Sequence, residues 1–272
     1  MMKNSTIIGL VLGVIAIFGG MVVKGANLSS LLNPAAYMII ILGTAASVMV
    51  AFPMSELSKV GKLFKMVFAG QKLPQRDELI TRFMEWASIT RREGLLALEA
   101  KVDEIEDPFL RNGMRMIIDG NDQDFVRDVL LEDIAATEER HKAGALIFTQ
   151  AGTYAPTLGV LGAVVGLIAA LADMSDMEKL AHAIAGAFIA TLLGIFTGYV
   201  LWHPIANKLK RMSKQEVQIR LMMVEGLLSI QSGVSTIAIN QKLSVFLTPT
   251  ERVKMREKEE GAVEQKAQTR GA

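Results

Sequence analysis

The sequence predicts an all-α polytopic membrane protein. It has four transmembrane helices in two hairpins, a helical cytoplasmic domain between spans two and three, and a cytoplasmic C-terminal helix. Three observations carry this. The 272 residues are 51% hydrophobic with a mean hydropathy of +0.34, too apolar for a soluble domain, yet 21% are charged. The charges are segregated. Of 57 Asp, Glu, Lys and Arg, only Lys3 and Lys24 fall in residues 1–52, and only Asp173, Asp176, Glu178 and Lys179 in 146–204. Finally, the uncharged runs 5–23, 33–53, 146–172 and 182–205 approach or exceed the roughly 20 helical residues that cross a bilayer.

Taken in order, residues 1–53 form the first hairpin, turning at 24–32. The first run is longer than the apolar core of a secretory signal, no clear A-x-A site follows, and a second run comes at once, so it reads as a span. Residues 54–145 read as helices. Leu79, Phe83, Trp86 and Thr90 share a face, with Asp77 as a capping candidate after Pro74. Gly94 interrupts that pattern, Asp107-Pro108 opens another helix, Gly120-Asn121-Asp122 turns the chain, and 124–142 is charged and amphipathic.

Residues 146–205 form the second hairpin, with a loop expected at 173–181. Residues 206–248 continue as an amphipathic helical extension carrying Val217, Leu221, Val224 and Leu228. The tail, 249–272, is charged and poor in apolar residues, and disorder is expected there. Lys59, Lys62 and Lys65 follow the second span, and Lys208, Lys210, Arg211 and Lys214 follow the fourth. Each hairpin loop holds a single Lys. By the positive-inside rule both termini and both charged blocks lie on the cytoplasmic side of the inner membrane.

Much chemistry is excluded. There is no cysteine, the three histidines show no metal-ligand spacing, and no phosphate-binding or zinc-protease motif occurs, so enzyme chemistry has no visible seat and no cofactor is expected. Nucleic acid binding lacks a basic excess. The four runs contain no Asp, Glu, Lys or Arg, although ionisable groups normally mark ion paths through a membrane. The chain is either a structural membrane scaffold or a subunit whose partner brings the carboxylate.

Small residues recur every four positions: Ala155, Gly159 and Ala163; Gly162, Gly166 and Ala170; and Gly186, Ala190, Gly194 and Gly198. That spacing lets helix backbones approach. Thr149, Gln150, Thr153, Tyr154 and Thr157 crowd one half of the third span, and Thr191, Thr197 and Tyr199 sit in the fourth. Their hydroxyls either bond back to the i−4 carbonyl or face a wet interior. Pro156 and Pro204 invite kinks.

Three segments then point to a family. Residues 91–99 (RREGLLALE), 150–159 (QAGTYAPTLG) and 190–204 (from ATLLG to WHP) resemble conserved stretches of flagellar stator A subunits of the MotA/PomA type, particularly those of Gram-positive rods. The resemblance covers nearly the whole chain except the tail. It implies a pentamer around two single-span MotB-type subunits, each bringing the ion-binding Asp and a peptidoglycan-gripping domain, and rotation that pushes the rotor protein FliG. It assigns Thr191, with Ala163 and Tyr154, to the ion pathway; Pro156 and Pro204 to coupling; and Arg91, Arg92 and Glu99 to the rotor interface. Arg91 and Glu99 would lie about 80° apart on a continuous helix, a geometry that lapses if Gly94 ends it. Ala163 favours protons, since sodium-driven relatives tend to carry Thr there. The related ExbB/TolQ energisers generally have three spans, against four here. A secondary transporter would show broken helices and polar midplane residues.

Overall fold

The computed structural model describes residues 2–172, 177–255 and 257. Among the described residues every regular element is helical. The first span is α1 (Met2–Val23). A 3-10 turn, Leu28–Leu31, follows and is capped by Asn27. The second span starts with α2 (Pro34–Tyr37), where Asn33 accepts from the Ala36 N–H at 3.1 Å and Pro34 occupies the first turn, a position that needs no N–H donor. It passes through a π turn, Met38–Leu42, into α3 (Gly43–Ala51).

Next come α4 (Met54–Leu57), α5 (Val60–Ala69), α6 (Arg76–Glu93), a 3-10 turn (Leu95–Leu98), α7 (Glu99–Val102) and α8 (Pro108–Ile118). The long α9 (Gln123–Leu171) carries the third span. The fourth consists of α10 (Met177–Phe196), a π turn (Thr197–Trp202) and the start of α11 (His203–Gln231); α12 (Thr236–Leu243) and a 3-10 turn (Ser244–Phe246) complete the order. Four stretches, Ser5–Val23, Leu28–Ala51, Gln123–Leu171 and Met177–Gln231, are long and apolar enough to cross a membrane.

The chain divides into two compact units, Met1–Gln71 with Glu139–Ser213, and Lys72–Glu138 with Lys214–Ala272. These boundaries differ from the expected 53, 145 and 205. The reason is α5: its Leu63, Phe64, Val67 and Phe68 pack with Ala145, Phe148, Ile205, Ala206 and Leu209, so the segment after the second span belongs with the spans.

The second unit is a conventional apolar core, built on Leu79, Ile80, Phe83, Trp86, Met222 and Leu227 among others. Phe83 and Trp86 meet edge to face at 5.5 Å. Gly226 makes room for Phe83, whose ring stands 2.6 Å from where a Cβ would lie. Arg220 binds Glu216 (2.7 Å), Asp133 (3.7 Å) and the buried Thr137 hydroxyl (3.1 Å), with its guanidinium 5.1 Å from the Phe109 ring centre.

Several local expectations need correction. Gln75, not Asp77, precedes the first residue of α6; Asp77 lies in the first turn, where its charge suits the helix dipole. Helix α10 begins at Met177, so Glu178 and Lys179 belong to the helix and not to the loop; the rest of the expected loop, 173–176, lies outside the described residues. The C-terminal extension is not one helix: Gly233, at φ 66°, ends α11, and Ser235 caps α12. Residues 249–255 of the expected disordered tail are helical, with Met255 buried and Glu251 paired to Arg76 at 3.3 Å; 256 and 258–272 lie outside the described residues. The tail looked unanchored because one Met and one Glu carry the attachment.

Candidate ion-pathway and coupling site

The third and fourth spans meet backbone to backbone. A Cβ added to Gly159 would lie 2.8 Å from the Ala190 carbonyl oxygen and 2.9 Å from Gly194 Cα. One added to Gly194 would lie 2.7 Å from the Ala155 oxygen. Only hydrogens fit in these spaces, and the Cα–H groups of the glycines face carbonyls of the opposite helix. The rows Ala155–Gly159 and Ala190–Gly194–Gly198 thus form the crossing, and Ala155 is fully buried. The parallel row behaves differently. Gly162 touches Ile39 and Ala190, but Gly166 faces open space, so that row is not a seam within this chain.

Pro156 sits at the end of this crossing. Lacking an N–H, it leaves the Gly152 carbonyl without its usual helical donor. That oxygen lies 2.8 Å from the position of a Gly198 Cβ, and Pro156 Cγ lies 2.7 Å from it, so Gly198 covers both the ring and the freed carbonyl. Gly198 belongs to the π turn Thr197–Trp202, which closes with the His203 N–H donating to the Gly198 oxygen, five residues back. Pro204 follows at once. In an α ladder its ring would press on the Val200 carbonyl, and the wider turn relieves that clash. The two prolines are therefore linked through one glycine in one π turn. His203 packs its ring over Gly152, 2.9 Å from a virtual Cβ, and lies 5.2 Å from the Tyr199 ring. Pro156 is half-buried and Pro204 exposed.

The ion-pathway candidates do not gather in one place within the chain. Tyr154 packs with Val48, Ile147 and Ala151. Ala163 is half-buried about 13 Å further along α9, one residue from Gly162. Thr191, also half-buried, adjoins Ala190 in the crossing. Its hydroxyl donates to the Ala187 oxygen at 3.1 Å, and Thr149, Thr153, Thr157 and Thr197 likewise bond back along their own helices. Of the two readings left open for these hydroxyls, back-bonding is what the single chain displays. Thr153 and Thr157 are exposed.

Arg91, Arg92 and Glu99 are exposed, and none has an ion-pair partner among the described residues. Gly94, at φ 86°, ends α6, so Arg91 and Arg92 close one helix while Glu99 opens α7 after the 3-10 turn. The continuous-helix angle between them is void. Each charge instead complements the dipole at its own helix end. Sequence reasoning missed the π turns and the role of Gly198; a proline two residues beyond an otherwise unbroken run was the only available signal.

Four apolar spans and a close-packed crossing define a multi-pass helical membrane protein. The comparisons agree. The MotA/TolQ/ExbB proton channel family matches residues 101–222, and the motility protein A N-terminal family matches residues 7–94. The chain is 54% identical to motility protein A of Bacillus subtilis over 95% of this chain and 96% of that protein. It is 32% identical to the chemotaxis protein PomA of Vibrio alginolyticus over 92% of this chain and 96% of that one. The solved flagellar MotAB stator complex from Bacillus subtilis superposes with a TM-score of 0.87 at 55% identity, covering 92% of this chain and 98% of that chain. The chain belongs to the motility protein A family, the A-type stator subunits of the flagellar motor.

Proposed function

We propose that this chain forms a proton-driven stator with a MotB-type single-span subunit, as a pentamer around a B dimer in the inner membrane, and turns the rotor through FliG. The observation that carries this reading is the absence of any Asp, Glu, Lys or Arg from the four uncharged runs, combined with a crossing built tightly enough to move as a unit. An ion machine without its own acid needs a partner's carboxylate. The similar solved structure from Bacillus subtilis is a flagellar MotAB stator complex, which fits that requirement.

In this reading both termini are cytoplasmic. Thr191, Ala163 and Tyr154 lie along the path of the ion, and the helix pair locked at Ala155–Gly159 and Ala190–Gly194 moves together. The π turn between Pro156 and Pro204 is where that movement is passed on. Arg91, Arg92 and Glu99, exposed and without ion-pair partners among the described residues, present charge to the rotor, where electrostatic contacts steer without locking. Alanine at 163 adds no oxygen for a dehydrated sodium ion, which favours protons.

Co-expression with a MotB-type partner should restore swimming to a stator-deficient bacterium. Speed should follow the proton gradient and survive removal of sodium. Collapse without sodium would overturn the ion assignment, and failure with every cognate partner despite membrane insertion would overturn the stator reading. Arg91→Glu should cut torque while leaving stator assembly intact.

A further inference from the structure

Within the membrane unit lies a cavity of about 510 Å³, inside the range of small-ligand sites. Its walls come from the second span (Ile40, Thr44, Val48), the third (Ile147, Ala151) and the π turn of the fourth. Ile41 and Met49, at the rim, are exposed. Two hydroxyls line this apolar space. That of Thr197 is satisfied by the Leu193 oxygen at 2.8 Å. That of Thr44 has no partner among the described residues, although Thr44 is only 6% exposed. A helical Thr usually bonds the i−4 carbonyl, here that of Ile40, but the Thr44 hydroxyl makes no such bond. Among the described residues the hydroxyl has no acceptor.

The mouth supplies the second clue. Leu57 and Val60 line the cavity, and Lys59 and Lys62 beside them are exposed without ion-pair partners among the described residues. Glu56 is the one acid on this segment. An apolar cleft between spans, with exposed lysines next in sequence to its lining residues, is complementary to an acyl chain topped by an anionic headgroup.

We propose that this cavity holds one acyl chain of an anionic phospholipid, whose headgroup rests against Lys59 and Lys62 and whose ester carbonyl accepts from Thr44. Because the π turn Thr197–Trp202 forms one wall, the lipid packs directly against the segment between the two prolines. The site concerns the chain's own fold in a bilayer and does not depend on the ion or rotor assignment.

The test uses the full chain with its partner subunit in phosphatidylcholine nanodiscs containing a minor fraction of phosphatidylglycerol with a diazirine on one acyl chain. After illumination, peptide mapping should find adducts concentrated on the cavity walls at 40–48 and 147–151, well above those on the exposed face at 160–168. Ala45→Trp, which fills the mouth, should reduce the wall adducts to background. The surface pair Lys59→Glu and Lys62→Glu, which leaves the core untouched, should erase the preference for phosphatidylglycerol over a phosphatidylcholine probe. Thr44→Val should weaken labelling without abolishing it. Adducts spread evenly over all lipid-facing helices, or equal labelling by both lipids, would overturn the proposal. So would a cross-link from Ala45→Cys, the only thiol in the chain, to a second copy lying over the cavity.

Discussion

The two units solve the packing problem in opposite ways. The polar helical unit gathers large side chains: Phe83, Met222, Leu227 and Ile117 are fully buried, and water drives them together. The membrane unit has no such drive, since lipid is as apolar as leucine, and its crossing is built from residues with almost no side chain: Ala155, Gly159, Ala190, Gly194 and Gly198. The polar core is held by volume and the crossing of the third and fourth spans by the absence of volume. The difference matters for mechanics. A core of large interdigitated side chains resists sliding, whereas a glycine seam fixes two helices as a pair and leaves the outer faces free for partners.

The largest expected effect comes from putting volume where none fits. Gly194→Leu would drive a side chain into the Ala155 carbonyl, and the backbone cannot yield; we expect about 3 kcal/mol or more of overpacking and loss of both membrane accumulation and motility. Gly166→Leu, on the third span and facing open space, should be accepted by the isolated chain, and any defect would report a neighbouring subunit at that face. Immunoblots of membrane fractions alongside swimming assays separate the two. If Gly194→Leu assembles normally, the seam is not what holds the spans.

The converse experiment removes volume from the polar unit. Phe83→Ala should cost about 3–5 kcal/mol there, read as faster proteolysis of the helical unit while the spans still insert. A smaller loss should follow Arg220→Ala, about 1–3 kcal/mol, because it removes the guanidinium that binds Thr137, Glu216 and Asp133 and lies over the Phe109 ring. Arg220→Lys should recover only part, lacking the fork that reaches several acceptors at once. Equal effects from Arg220→Ala and Arg220→Lys would mean that charge alone counts.

The same contrast explains what the sequence revealed. Spans are legible because hydropathy is a strong, cumulative signal, and the Gly/Ala rows mark a seam because spacing on a helix maps to a face. Which row forms the seam is not legible: Gly159 and Gly166 look alike in sequence, and only the partner helix tells them apart. The buried face of α6 follows from Leu79, Phe83 and Trp86, yet its cap does not, because Gln75 precedes the helix without a side-chain capping hydrogen bond. The π turn at 197–202 leaves almost no trace, since it arises from how Pro204 fits a three-dimensional ladder. Arg91, Arg92 and Glu99 were recognisable as a segment, but their relative geometry depended on whether Gly94 would end the helix.

The smallest effect is expected where the helical tail meets the polar unit. Partial burial pushes the Glu251 carboxyl's pKa upward, but the Thr248 N–H and hydroxyl and the Arg76 guanidinium outweigh it and hold the pKa below the ordinary value. A carboxylate with a depressed folded-state pKa stabilises the fold above its unfolded-state pKa, and that contribution is lost as pH falls through the folded value. The pair is partly exposed, so solvent screening limits it to about 0.5 kcal/mol. Glu251→Gln should therefore loosen residues 249–255 slightly at neutral pH, seen as faster amide exchange there, and the difference from the unsubstituted chain should vanish in acid. Met255→Ala, which removes the tail's buried apolar anchor, should loosen the same residues at every pH. If Glu251→Gln acts equally at all pH values, the carboxylate's charge is not what holds the tail, and the polar unit is closed by apolar volume alone.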